Sequence, residues 1–363
     1  GKLQVSFEEF EPPVTGRVSK PTTFVNVVAV LPGTLTPDRH YYVVGHYDSM
    51  PSDVMDPNTD APGANDDGSG TTAVMAIARA MADKPCESTI VFLCTAGEEQ
   101  SLLGAKYRAD EAARKKEDIR AVLSNDIVGD PWGPGGDKSK ATKNLIRVFS
   151  EGLPRNPGAQ QLSQIRNLAS ESDSASRQLA RYIAEIAERE NTAVKPMLVF
   201  RLDRFLRGGD HSAFNDAGFA AVRFTEVHED YRHQHQTPRL EDGVQYGDLP
   251  DHVDAEYLAN VARLNAAALV HLSNAPSVPT NARIITAKLD YTTTLRWEKA
   301  PEPDVAGYEV VWRETTSPTW NHVKDVGDVT EVTIDESKDN YFFGVRAYDK
   351  DGYRSPVAFP TAS

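Results

Sequence analysis

Cysteine is nearly absent: Cys86 and Cys94 are the only two in 363 residues. Cys94 sits inside the apolar run Thr89 to Thr95, and a strand there holds the pair beyond disulfide reach, so both read as free thiols. Basic charge is also short. Lys+Arg is 39 against Asp+Glu 53, a net charge of −14, which excludes nucleic acid and anionic membranes as natural partners. No apolar run approaches the ~20 residues that a membrane span needs. Three catalytic signatures are missing as well. No Gly-x-Ser-x-Gly elbow supports a serine hydrolase. Gly68-Ser69-Gly70 lacks a phosphate-binding lysine, and no His-Glu-x-x-His marks a single-zinc helix-motif protease. The opening residues, Gly1 to Phe10, are polar and acidic and carry no signal peptide.

What is present is an ordinary globular composition, 40% hydrophobic and 25% charged, in a chain long enough for two domains. Thr23 to Leu31, Tyr41 to Gly45, Ser88 to Thr95 and Arg120 to Ser124 are nearly continuous apolar runs, as expected of strands covered on both faces. Between and after them, Thr71 to Met81, Glu98 to Lys116, Ser172 to Glu190 and Val253 to Leu272 carry helical periodicity. Met197 to Arg201 and Ala220 to Thr225 add two more strands. The alternation predicts an α/β domain over residues 1–273, with a mostly parallel central sheet and helices on both faces. Residues 274–279 form a Pro/Ser-rich linker. Beyond it, short strands at regular spacing (Ile284 to Lys288, Thr292 to Trp297, Tyr308 to Arg313, Glu331 to Ile334, Tyr341 to Tyr348, Pro356 to Phe359) predict an all-β sandwich over residues 280–363.

Polar residues cluster where the strands should end, which is where ligands bind in an open α/β sheet. His46 and Asp48 lie two apart, hence on one face of a strand. His46 suits a metal, and Asp48 suits its other ring nitrogen. Asp66 and Asp67 lie in a glycine-rich loop, where one carboxylate can bridge two metals or both can simply cap a helix. Glu98 and Glu99 follow a buried strand, one fit to bind metal and the other to move a proton. Asp126 ends the next strand. His228, His233 and His235 crowd one loop that must supply the last nitrogen ligand, while Asp210-His211 are ligands, substrate contacts or core hydrogen-bonding groups.

The ordered set His46-x-Asp48-Ser49, Gly63-Ala64-Asn65-Asp66-Asp67-Gly68-Ser69-Gly70, Gly97-Glu98-Glu99 and Asn125-Asp126, followed by a late histidine, resembles the secreted co-catalytic di-zinc aminopeptidases of the leucyl and Streptomyces type. The resemblance runs from about Thr22 to Ser273. It implies one zinc on His46, Asp66 and Asp126 and a second on Asp66, Glu99 and His235, with His233 as the alternative. It implies Glu98 as general base and acid, and Asp48 as the partner of His46. Arg207, Asp210 and His211 are then substrate-binding candidates, and the partners are peptide or protein amino termini. The family's Tyr-His-Thr is replaced here by Tyr231-Arg232-His233-Gln234-His235-Gln236-Thr237, so no role transfers to Tyr231. Leading helices usual in the family are missing before the first strand, whether through maturation, cloning or a separate chain. A secreted, periplasmic or cell-surface location follows from the same resemblance. Residues 280–363 resemble a fibronectin type III domain, with Trp297 in the core position, and such a domain binds a surface or polymer. Three other readings remain: a carboxypeptidase, a single-zinc glutaminyl-cyclase-like enzyme, and a non-catalytic adhesion protein.

Overall fold

The computed structural model describes residues 3–287 and 289–363. In chain order the larger unit comprises β1 (Gln4–Phe10), β2 (Phe24–Leu31), β3 (Thr36–His46), α1 (Gly68–Met81), β4 (Ser88–Thr95), α2 (Leu103–Lys115), β5 (Asp118–Asn125), β6 (Leu145–Ser150), α3 (Ala159–Leu168), α4 (Ala175–Arg189), β7 (Lys195–Val199), α5 (Asp210–Asp216), β8 (Ala221–Thr225), a hairpin of β9 (Arg239–Glu241) and β10 (Val244–Tyr246), and α6 (Ala255–Asn274).

Eight strands form one sheet in the order β1-β2-β4-β3-β5-β8-β6-β7. It is a mixed sheet with a parallel centre. β4, β3, β5 and β8 run parallel there, β1–β2, β2–β4 and β6–β8 pair antiparallel, and β7 runs parallel to β6 at the edge. The parallel centre matters most, because it brings the carboxyl ends of four buried strands to one edge. Helices α1, α4 and α6 cover one face through Val74, Ile77, Ile183, Val261 and Leu269. Helices α2 and α5 cover the other through Ala105, Ala109, Ala112 and Phe214. Central strands buried on both sides explain their unbroken apolar runs.

One local expectation changes and two further elements appear. The polar N-terminal stretch is an edge strand, β1, paired along its length with β2 from Gln4↔Val30 to Phe10↔Phe24. Helix α2 begins at Leu103 and not at Glu98, because Gly97, Ser101 and Leu102 all take positive φ. Residues 159–168 form a helix with no buried residue, which leaves no apolar stripe to read.

The C-terminal unit has β11 (Thr280–Ile284), β12 (Thr293–Glu298), β13 (Val305–Glu314), β14 (His322–Gly327), β15 (Glu331–Ile334), β16 (Tyr341–Asp349) and β17 (Thr361–Ala362). They make a four-stranded sheet, β15-β12-β11-β17, and a three-stranded sheet, β14-β13-β16. Between the sheets, Trp297 packs on Tyr308 at a ring separation of 5.5 Å, in a core with Leu295, Val310 and Phe343. The strand expected at Ile284 to Lys288 lies four residues earlier, and Lys288 itself falls outside the described residues. The expected Pro356–Phe359 strand is reduced to a bridge between Ala358 and Val345.

The two units pack through buried charge. Asp173, just before α4, takes Arg313 at 2.8 Å and Arg181 at 3.2 Å. Arg346 reaches Glu185 at 2.6 Å, and Arg39 pairs with Glu302 while also meeting Ser277 in the linker.

Candidate metal centre

β3 ends at His46, and the loop after it turns back over α1. Gly45 and Gly70 allow this close approach: a Cβ on Gly45 would sit 2.7 Å from the Gly70 backbone, and one on Gly70 would sit 2.2 Å from the Asn125 carbonyl. Asp67 caps α1 by accepting from Gly70 N–H, and its carboxylate also takes the N–H groups of His46 and Ile127. One capping side chain thus ties the ends of β3 and β5 to the start of α1, and Asp66 beside it is held at their junction.

His46 Nε2 lies 3.2 Å from Asp66 Oδ1 and 4.0 Å from Asp126 Oδ1. His235 Nε2 lies 3.0 Å from Asp66 Oδ2 and 3.1 Å from Glu99 Oε1. The donor atoms of His46, Asp66 and Asp126 all fall within 4.8 Å of one another, as do those of Asp66, Glu99 and His235. Asp66 serves both groups, one oxygen to each. His235 reaches inward from a loop residue with φ +54, while His233 stacks on His252 at 3.6 Å and lies outside both groups. The tight turn that bonds His233 N–H to the Asp230 carbonyl points successive rings in different directions.

Asp48 supports the site differently from expectation. The Nδ1–H of His46 donates to the main-chain carbonyl of Asp48 at 3.1 Å, and the Asp48 carboxylate stands off at 3.7 Å. That carboxylate accepts instead from the N–H groups of Gly97, Glu98 and Glu99, at 2.8, 3.1 and 3.1 Å. It therefore fixes the loop that carries both glutamates. Burial works against its charge, but the attraction of the nearby His46 ring and the N–H groups of Glu98 and Glu99 hold its pKa below the ordinary aspartate range.

The three substrate-contact candidates part company. His211 is fully buried and donates Nε2–H to the Leu202 carbonyl, so it holds the 202–210 loop from inside and presents no surface to substrate. Asp210 is buried with one oxygen on the Thr95 hydroxyl and the other without a partner; burial, then nearby carboxylates, push it up to about 6. Arg207 donates to Gln234, whose amide in turn donates to Asp66.

Several supporting residues escape sequence reasoning. Arg223, fully buried on β8, reaches Asp126 at 2.9 Å and Asp203 at 3.2 Å. A charged residue in the apolar run Ala220 to Thr225 was its available signal. Asp248 accepts the main-chain N–H groups of Asn65 and Asp66 at 2.9 and 2.7 Å, across 183 and 182 residues of sequence, with nothing local to mark it. Glu226 accepts from the Asn65 side chain at 2.9 Å and the Asp130 N–H at 2.8 Å.

The electrostatics fit a cation. His46 is held charged well above its ordinary value although burial opposes this, because Asp67, Asp48 and Asp66 surround it. Burial likewise opposes charge on His235, yet Asp66 and Glu99 push it up to about 10. Glu98 is pushed well above the carboxylate range by burial and by Asp126, Asp210 and Glu99. Buried His46 Nε2 and Glu99 Oε1 have no hydrogen-bond partner. Carboxylates crowded this closely draw positive charge onto both rings, and a cation between the donor groups would take the place of those protons. Imidazole and carboxylate are zinc ligands, and three donors per group leave room for water or substrate.

Mixed α/β architecture with two joined donor groups at the ends of parallel strands defines a metal-dependent hydrolase. Residues 26–268 match the family model for peptidase family M28, and the chain belongs to that family of zinc metallopeptidases. It is 43% identical to a protein of Leptosphaeria maculans named "Probable zinc metalloprotease", over 99% of this chain and 83% of that one. A Pyricularia oryzae protein of the same name is 43% identical over 99% of this chain and 72% of its own length. Among solved structures, Legionella pneumophila LapA superposes with a TM-score of 0.50 at 19% identity, covering 74% of this chain and 60% of LapA, a likeness of fold. No helix among the described residues is long and apolar enough to cross a membrane.

Proposed function

We propose that the chain is a two-zinc aminopeptidase that removes the first residue of peptides. The observation that carries this reading is the pair of donor groups sharing Asp66, with Glu98 outside both yet within charge reach of His46, Asp126 and Glu99. His46, Asp66 and Asp126 would hold one zinc, and Asp66, Glu99 and His235 the other. Bound zinc supplies Lewis-acid polarisation of the scissile carbonyl and lowers the pKa of the attacking water. Glu98 takes the proton from that water and returns it to the departing amine nitrogen as the C–N bond breaks. Asp48 holds Glu98 in place through its main-chain N–H, and Arg223 fixes Asp126. The unpartnered oxygen of buried Asp210 adds negative potential that favours a substrate's free ammonium. The two sheets of residues 280–363, with Trp297 between them, support a fibronectin type III-like unit that binds a surface or polymer. Secretion belongs to the same proposal.

The test is release of amino acids from free-amine and N-acetylated versions of one peptide, with and without a chelator, alongside zinc counting. Release from the free amine alone, abolished by chelation, at two zinc ions per chain, is the expected result. Equal cleavage of the acetylated peptide removes the aminopeptidase reading. One zinc with cyclisation of amino-terminal glutamine favours the cyclase.

A further inference from the structure

A groove of about 380 Å³ opens beside the metal centre and is used by nothing described so far. Two of its lining residues, Ser49 and Gln100, directly follow Asp48 and Glu99. Its walls include Phe24, Met50, Val54 and Met55, and its rim carries Arg17 and Lys20. Arg17 spans the gap to the centre, donating to the main-chain carbonyl of Glu99 at 2.6 Å. Lys20 is exposed and makes no ion pair among the described residues. One acid lines the groove, Asp56, and its carboxylate is already engaged by the N–H groups of Asn58 and Thr59 and by the Thr59 hydroxyl. With Arg17 and Lys20 against Asp56, the groove carries a positive excess of one in a chain of net charge −14, and its walls are part apolar and part polar.

The metal centre has the opposite character, with the carboxylates of Asp66, Glu98, Glu99 and Asp126 crowded there. A peptide with its ammonium end in that acidic centre and its carboxylate end towards Arg17 and Lys20 matches both regions. We propose that the groove receives the residues that follow the scissile bond, and that the preferred substrates are short peptides with an apolar second residue and a free carboxylate. This rests on the aminopeptidase reading and adds the substrate class.

The experiment compares kcat/KM for tripeptides with a fixed first residue, as free acids and as C-terminal amides, with the second residue apolar or polar. The wild-type enzyme should favour the acid by about five- to tenfold, and added salt should shrink that ratio, since the rim charges are exposed. Lys20→Glu should bring the acid-to-amide ratio to about one or below. Met55→Asp, at a residue 38% exposed, should erase the preference for an apolar second residue. Equal rates for acid and amide in the wild type, with free-amine peptides still cleaved, overturn the groove assignment and leave the aminopeptidase standing. Removal of the last residue from N-acetylated acids overturns both, since the carboxylate would then direct a carboxypeptidase.

Discussion

Glu98 and Glu99 are neighbours with different surroundings. Glu99 faces His235 at 3.1 Å and belongs to a donor group, whereas Glu98 belongs to neither and is crowded by three carboxylates. On the proposed two-zinc reading, Glu98→Ala should keep both ions and lose ~10²–10⁴ in kcat. Glu99→Ala should instead lose one zinc, and metal analysis beside steady-state kinetics separates the two. Loss of zinc from Glu98→Ala would mean that the roles are exchanged. Residues such as His46 and Asp126 were legible because they follow apolar strands, and strand ends are where a parallel sheet places its chemistry. Asp248 was not legible: its partners lie more than 180 residues away, and it sits in a loop of no regular structure. Only resemblance favours His235 over His233, because local sequence does not reveal which ring a turn sends inward.

Helix α6 closes the domain over the sheet, burying Tyr257, Val261, Leu264 and Leu269. Its N-terminus is held by Asp254, whose carboxylate accepts from Glu256 and Tyr257 N–H and pairs with Lys143. Asp254→Ala should cost about 0.5–2 kcal/mol of stability, read from chemical denaturation with the activity per folded molecule unchanged. This helix was plain in sequence because its apolar period is strong. The start of α2 was not, since the Asp48 carboxylate takes the N–H groups of residues 97–99 and holds them outside the helix. β1 carries the strand alternation Leu3-Gln4-Val5-Ser6-Phe7-Glu8, but in a short acidic stretch, and as an edge strand it leaves Val5 and Phe7 exposed.

Where the two units meet, Glu87 faces Asp304, Asp349, Asp351 and Glu302, and burial together with these acids pushes it up to about 7. Folding therefore favours its protonated form. The stability it contributes is fully present below the ordinary glutamate pKa and is lost as pH rises through about 7. Glu87→Gln should raise Tm at pH 8 and leave it nearly unchanged at pH 4.5, as thermal unfolding at both values checks. Asp173 is the stronger joint, with its side chain and those of Arg181 and Arg313 all at most 2% exposed. Asp173→Asn strands two buried guanidinium groups and should cost about 3–5 kcal/mol in denaturant titration. The sequence shows the linker but not this pairing, which joins residues 140 apart. Arg39 grips the linker near the start of β3, and His46 stands seven residues further along the same strand. At ~3.3 Å per residue that is about 23 Å away, at the opposite end of the sheet. The linker thus joins the sheet at the end away from the two donor groups, so a change in how the C-terminal unit packs there should alter stability before it alters the site.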